Sequence, residues 1–141
     1  MGLDNYPSQY PCKKQGTVVL SDDGLIDCQA TQACGGCPWK NADKPDDGRV
    51  LGMFGTDCWY RGKYGNALLS EMGLDDDDLN FYGDNEDGTE KSPESCVALA
   101  DVIGEALVSD RFTKEVEQGL RYAEWYLRWA AEECDGLECW Y

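Results

Sequence analysis

SPESCVALADVIGEALVSDRFTKEVEQGLRYAEWYLRWAAEEC, residues 92–134, decides how this chain folds. Ser92 is a good N-cap and Pro93 suits the first helical position, where a missing N–H costs nothing. Cys96, Leu99, Ala100, Ile103 and Leu107 then recur at helical spacing, which predicts a helix near 93–108. A second helix is predicted near 111–134. Its apolar residues Phe112, Val116, Leu120, Ala123, Leu127, Ala130 and Cys134 step by four and three, so they share one stripe. Tyr122, Trp125, Tyr126 and Trp129 flank that stripe and widen the apolar arc beyond half the circumference. Such a helix must bury two faces. Either it lies against a sheet and the first helix, or its aromatic flank meets a ligand or a second copy of the chain.

Upstream, residues 1–57 read as β- and loop-rich. GTVVL (16–20) and LIDC (25–28) surround SDDG (21–24), the pattern of a hairpin with a terminal Gly in its turn. RVLGMFG (49–55) is a third candidate strand. NALLSEMG (66–73) reads as a short helix that Gly73 stops in a left-handed conformation. DDDD (75–78) and GDNEDGTE (83–90) form an acidic connector. Asp84, Glu86 and Gly88 there approach a calcium-loop pattern but lack its twelfth-position Glu. The whole predicts one α+β domain over residues 1–141, with a small antiparallel sheet in the N-terminal half packed with two C-terminal helices. A chain of 141 residues buries about two-thirds of its unfolded surface, enough for a hydrophobic core.

Charge narrows the function classes. With 28 acidic against 12 basic side chains, the formal net charge is -16, which repels nucleic-acid phosphates. Solubility alone accounts for such a surface. Salt adaptation would be expected to shed Lys, yet Lys outnumbers Arg seven to five. A surface that mimics DNA and occupies a host nucleic-acid-binding protein is the functional alternative. No run of 18 apolar residues offers a membrane span. MGLDNYPSQYPC (1–12) carries neither the basic segment nor the apolar run of a secretory signal, so a reducing cytoplasm is expected.

The chain has eight cysteines and no histidine. That excludes a Ser-His-Asp triad, a Cys-His dyad and a His-ligated metal. Cys34-Gly-Gly-Cys37 has the spacing that lets two thiolates reach one ion. Cys12 and Cys28 would complete a tetrahedral structural zinc site. Buried free thiols are the competing reading of the same residues.

CWYRGKYGN (58–66) concentrates rings and cations in an acidic chain. Arg61 can grip a phosphate or carboxylate through two hydrogen bonds, and Lys63 adds a point charge. Trp59, Tyr60 and Tyr64 can stack on a planar group, and Asn66 can open the next helix with outward amides. These residues suit a small anionic, nucleotide-like ligand. Alternatively the rings pack in the core while Arg61 and Lys63 pair with carboxylates.

MGLDNYP (1–7), FGTDCWYRGKYGN (54–66) and SPESCVALADVI (92–103) together resemble small uncharacterised accessory proteins of tailed bacteriophages, closest to those of actinobacteriophages. The resemblance implies an accessory protein of the host cytoplasm and assigns no chemistry to any residue. The expected function is then non-catalytic binding, most simply sequestration of a nucleotide-derived ligand such as a host defence signal.

Overall fold

The computed structural model describes residues 3–43, 45, 59–74 and 79–141. The chain runs β1 (Asp4–Pro7), α1 (Pro11–Gln15), α2 (Cys28–Ala33), α3 (Pro38–Asn41), α4 (Gly62–Glu71), β2 (Glu90–Lys91), α5 (Pro93–Val108), α6 (Lys114–Glu133) and β3 (Leu137–Trp140). The fold is α+β, as the sequence implied. The expected strand at 49–55, the run DDDD (75–78) and Cys58 lie outside the described residues.

The helix α5 begins where Ser92 caps it, its hydroxyl accepting the Ser95 N–H. Thr113 caps α6 in the same way through the Val116 N–H. The two helices pack on each other, and Cys96, Leu99, Ala100, Ile103 and Leu107 of α5 are all buried. Leu120, Ala123, Leu127 and Ala130 of α6 are buried with them, while Phe112 and Val116 are half-buried at the edge of the core. Each large apolar side chain enclosed this way is worth about 1.5–3 kcal/mol.

The sheet is three-stranded and antiparallel, in the order β1-β3-β2. Asp4 pairs with Trp140 and Pro7 with Leu137, while Glu90 pairs with Glu138 and Lys91 with Leu137. Its position departs from the sequence reading, because only β1 comes from the N-terminal half. The expected hairpin at 16–28 reduces to a turn closed by one bridge, Leu20 to Ile26. Cys28 ends no strand there. Asp27 accepts the Ala30 N–H and starts α2 instead, a local cap that outweighs the β preference of LIDC.

The helix α4 starts four residues before the expected Asn66. Glycines disfavour helix, but here the packing needs them. A Cβ on Gly62 would strike the Asn5 side-chain oxygen, and one on Gly65 would overlap the Phe81 ring. Past its end, Gly73 has φ 67°, the left-handed stop that the sequence implied.

Candidate functional site

Alternation along β1 and β3 separates two faces. Asn5, Pro7, Leu137 and Cys139 point inward and are buried, while Asp4, Tyr6, Glu138 and Trp140 point outward. Residues 59–61 extend this pattern. Asn5 and Tyr60 exchange backbone hydrogen bonds of 2.8 and 2.9 Å across an antiparallel bridge. Antiparallel register then sets Trp59 beside Tyr6 and Arg61 beside Asp4. The rings of Tyr6 and Trp59 stack at 5.7 Å, and the Arg61 Nε lies 3.9 Å from the Asp4 carboxylate.

This geometry divides the expected ligand residues. Tyr60 is fully buried and stacks on Phe81 at 4.8 Å and Tyr126 at 5.2 Å, so it belongs to the core and presents no face to a ligand. Burial drives its phenol well above the usual tyrosine range. Asn66 sits within α4, and its side-chain oxygen accepts the Phe81 N–H at 2.7 Å, so it caps no helix. Trp59 and Arg61 stay on the outer face. Lys63 and Tyr64 are exposed in the first turn of α4, with the Arg61 guanidinium 5.9 Å from the Tyr64 ring centre. The structure therefore keeps Trp59, Arg61, Lys63 and Tyr64 at the surface and takes Tyr60 and Asn66 out of the set.

Sequence reasoning missed the neighbours that complete this surface. Trp140 is 61% exposed and meets the edge of Tyr6 at 6.1 Å. Tyr6, Tyr10, Glu138 and Trp140 line an open cavity of about 320 Å³. A second groove, about 440 Å³, lies between Thr89, Glu90, Glu138, Cys139, Trp140 and Tyr141. Tyr82 stacks on Tyr141 at 5.8 Å beyond it. The signal was present as period-two alternation in D-N-Y-P and L-E-C-W, in segments too short to stand out.

Behind the sheet lies a buried polar cluster. Lys91 is only 2% exposed, and its ammonium donates to the Ser95 hydroxyl at 2.9 Å. Burial pulls its pKa below the usual lysine value, against the opposing pull of Cys96 and Asp84. Asn5 donates to the Phe81 carbonyl at 3.1 Å and to the Cys139 sulfur at 3.3 Å. Burial pushes the Cys96 thiol up to about 12 and the Cys139 thiol up to about 11. The Asp84 carboxylate accepts the Ser92 N–H and hydroxyl, so this residue of the acidic connector anchors the start of α5.

The zinc-candidate cysteines are spread differently. Cys12 and Cys37 are buried, Cys28 is half-buried and Cys34 is exposed. Burial raises the Cys12 thiol, and the nearby Cys37 adds to the effect. Among the described residues, no three side chains of His, Cys, Asp or Glu are grouped to hold a metal ion. Zinc on Cys12, Cys28, Cys34 and Cys37 would require these loops to draw together. About one zinc per chain, found by metal analysis of chelator-free protein and lost in Cys37→Ser, is the result that establishes it.

The aromatic flank of α6 packs within the chain. Trp39 is almost fully buried and meets Trp125, Tyr126 and Trp129 at 5.7, 5.8 and 5.0 Å. Tyr122 faces Tyr60 at 6.4 Å. Of the four flank residues, Tyr122, Tyr126 and Trp129 are thus buried by the chain itself, while Trp125 is half-buried. No described helix is long and apolar enough to cross a membrane. Comparison with family models, curated proteins and solved structures finds no match to this chain.

Proposed function

We propose that this protein acts by non-catalytic binding, with its recognition surface on the outer face of the sheet. The observation that carries this reading is the exposed Trp140 standing against the stacked Tyr6–Trp59 pair. Large rings left at a solvent-facing sheet surface lose their hydrophobic gain unless a partner covers them. The resemblance to phage accessory proteins adds a setting, the host cytoplasm. Ligand-observed NMR with a library sorted by charge tests the reading. Ligands that bind the wild type and are lost in Trp140→Ala support it. Ligands that bind equally to Trp140→Ala and Trp59→Ala refute it.

A nucleotide-derived ligand is the second reading. It is favoured by Arg61, whose side chain is 40% exposed and lies over Tyr64 beside the exposed Lys63. A further alternative is an acidic surface that occupies a host nucleic-acid-binding protein, favoured by the net charge of -16. Its mark is an association that fades steeply with added salt.

A further inference from the structure

The smaller cavity joins three rings to one carboxylate. Tyr6 and Trp140 meet edge to face and form a corner, Tyr10 gives a third wall, and Glu138 supplies charge. Glu138 forms no ion pair among the described residues. Arg61, on the same face, lies 3.9 Å from the Asp4 carboxylate and over the Tyr64 ring. Ring faces carry negative quadrupole charge, so an aromatic corner with a carboxylate attracts a cation that is large, soft and weakly hydrated. A small inorganic ion keeps its water and gains little there. The protein's net charge of -16 enriches cations around it further.

We propose that the cavity between Tyr6, Tyr10, Glu138 and Trp140 binds a quaternary-ammonium group of a small organic cation. This rests on the binding reading of the same face and names its ligand class. The methyl groups lie against the rings, and Glu138 neutralises the charge from the side. At about 320 Å³ the cavity is at the small end of ligand sites and suits one headgroup.

The test is a titration of the full chain with tetramethylammonium and with choline at constant ionic strength, read from tryptophan indole signals in ¹H–¹⁵N spectra. The Trp140 indole is expected to shift saturably, while that of the buried Trp39 stays fixed. The neutral isostere 3,3-dimethylbutanol should bind roughly tenfold more weakly. Glu138→Gln and Trp140→Ala should each weaken choline binding about threefold to tenfold, the range of one cation–π or charge contact. Both positions lie on the outer face, and thermal melts check that the variants stay folded. Equal binding of choline and its neutral isostere overturns the proposal while leaving the recognition surface intact. An unchanged affinity in Glu138→Gln also overturns it. Absence of any saturable shift at about 50 mM, far above the millimolar Kd such contacts support, overturns it as well.

Discussion

Gly65→Ala is expected to destabilise the protein, although it replaces the second-worst helix former with the best. Within α4 the propensity gain is at most about 1 kcal/mol. Against it stands the ring behind the glycine. A new Cβ would overlap Phe81 Cε2 and lie 2.6 Å from Cδ2 and 2.9 Å from Tyr60 Cε1. Carbon atoms pack at about 3.5–4.0 Å, so Phe81 must retreat by about 1 Å. It has nowhere to go. Phe81 is fully buried and stacked on Tyr60, which is itself stacked on Tyr126. Overpacking a core of this kind costs about 1–3 kcal/mol, and loosening a ring pair adds about 0.5–1.5 kcal/mol. The net loss is about 2 kcal/mol. Gly104→Ala in α5 is the matched control. Its Cβ would crowd the end of Glu124 and touch the end of Arg128, both flexible side chains that can swing aside. That sacrifices the part-exposed Glu124–Arg128 ion pair, worth about 0.3–0.5 kcal/mol, against the same propensity gain. Gly104→Ala should therefore be neutral or slightly stabilising. Urea unfolding at matched pH reads both. A Gly65→Ala midpoint at or above wild type would refute the ring-ladder account of the core.

Leu127→Asp places a charge without a partner in the fully buried stripe of α6, at a cost of about 3–5 kcal/mol, and circular dichroism should show an unfolded or molten chain at 37 °C. Stability should fall above pH 9. Burial holds the protons of Cys96, Cys134 and Cys139 on the folded protein beyond the ordinary thiol value of 9.0, while the unfolded chain releases them there. Each buried thiol then removes about 1.4 kcal/mol per pH unit. Lys91 works in the opposite sense, because its lowered folded pKa adds stability as pH rises toward its unfolded value of 10.5. One amine does not offset three thiols, so denaturant midpoints should drop between pH 9 and 10, with a shallower drop in Cys96→Ala. On the nucleotide reading, Arg61→Ala should weaken binding of an anionic nucleotide roughly tenfold by calorimetry without changing the melting temperature, since a half-exposed guanidinium contributes at the low end for a charged hydrogen bond.

The two long helices were legible from their spacing, and in α5 cap and stripe agree. Ser92 and Pro93 mark the start of α5, the stripe alone marks α6, and the buried residues of α5 are those the spacing selects. The sheet was not legible, for a physical reason. Its strands are two to four residues long, and its pairing joins segments from opposite ends of the sequence, so no local pattern carries it. Within CWYRGKYGN, composition showed the rings and cations but not their directions. The bridge between Asn5 and Tyr60 turns Tyr60 inward and Trp59 and Arg61 outward, a choice made by a strand 55 positions away. Lys91 gave no warning at all. Lysine is almost never buried, and the position was fixed by pairing with Leu137.

The central strand β3 is also the last described element to leave the ribosome. Until it emerges, β1 has only its bridge to Tyr60, β2 has no strand to pair with among the described residues, and the core lacks Leu137 and Cys139. Helices α5 and α6 can form and pair early, since their contacts are local. Completion of the sheet must wait, and during that wait β1 presents an open edge able to pair with another chain. Shortening the protein by residues 137–141 would make the delay permanent. The expected product is a helical intermediate that self-associates with rising concentration, and no smaller native domain.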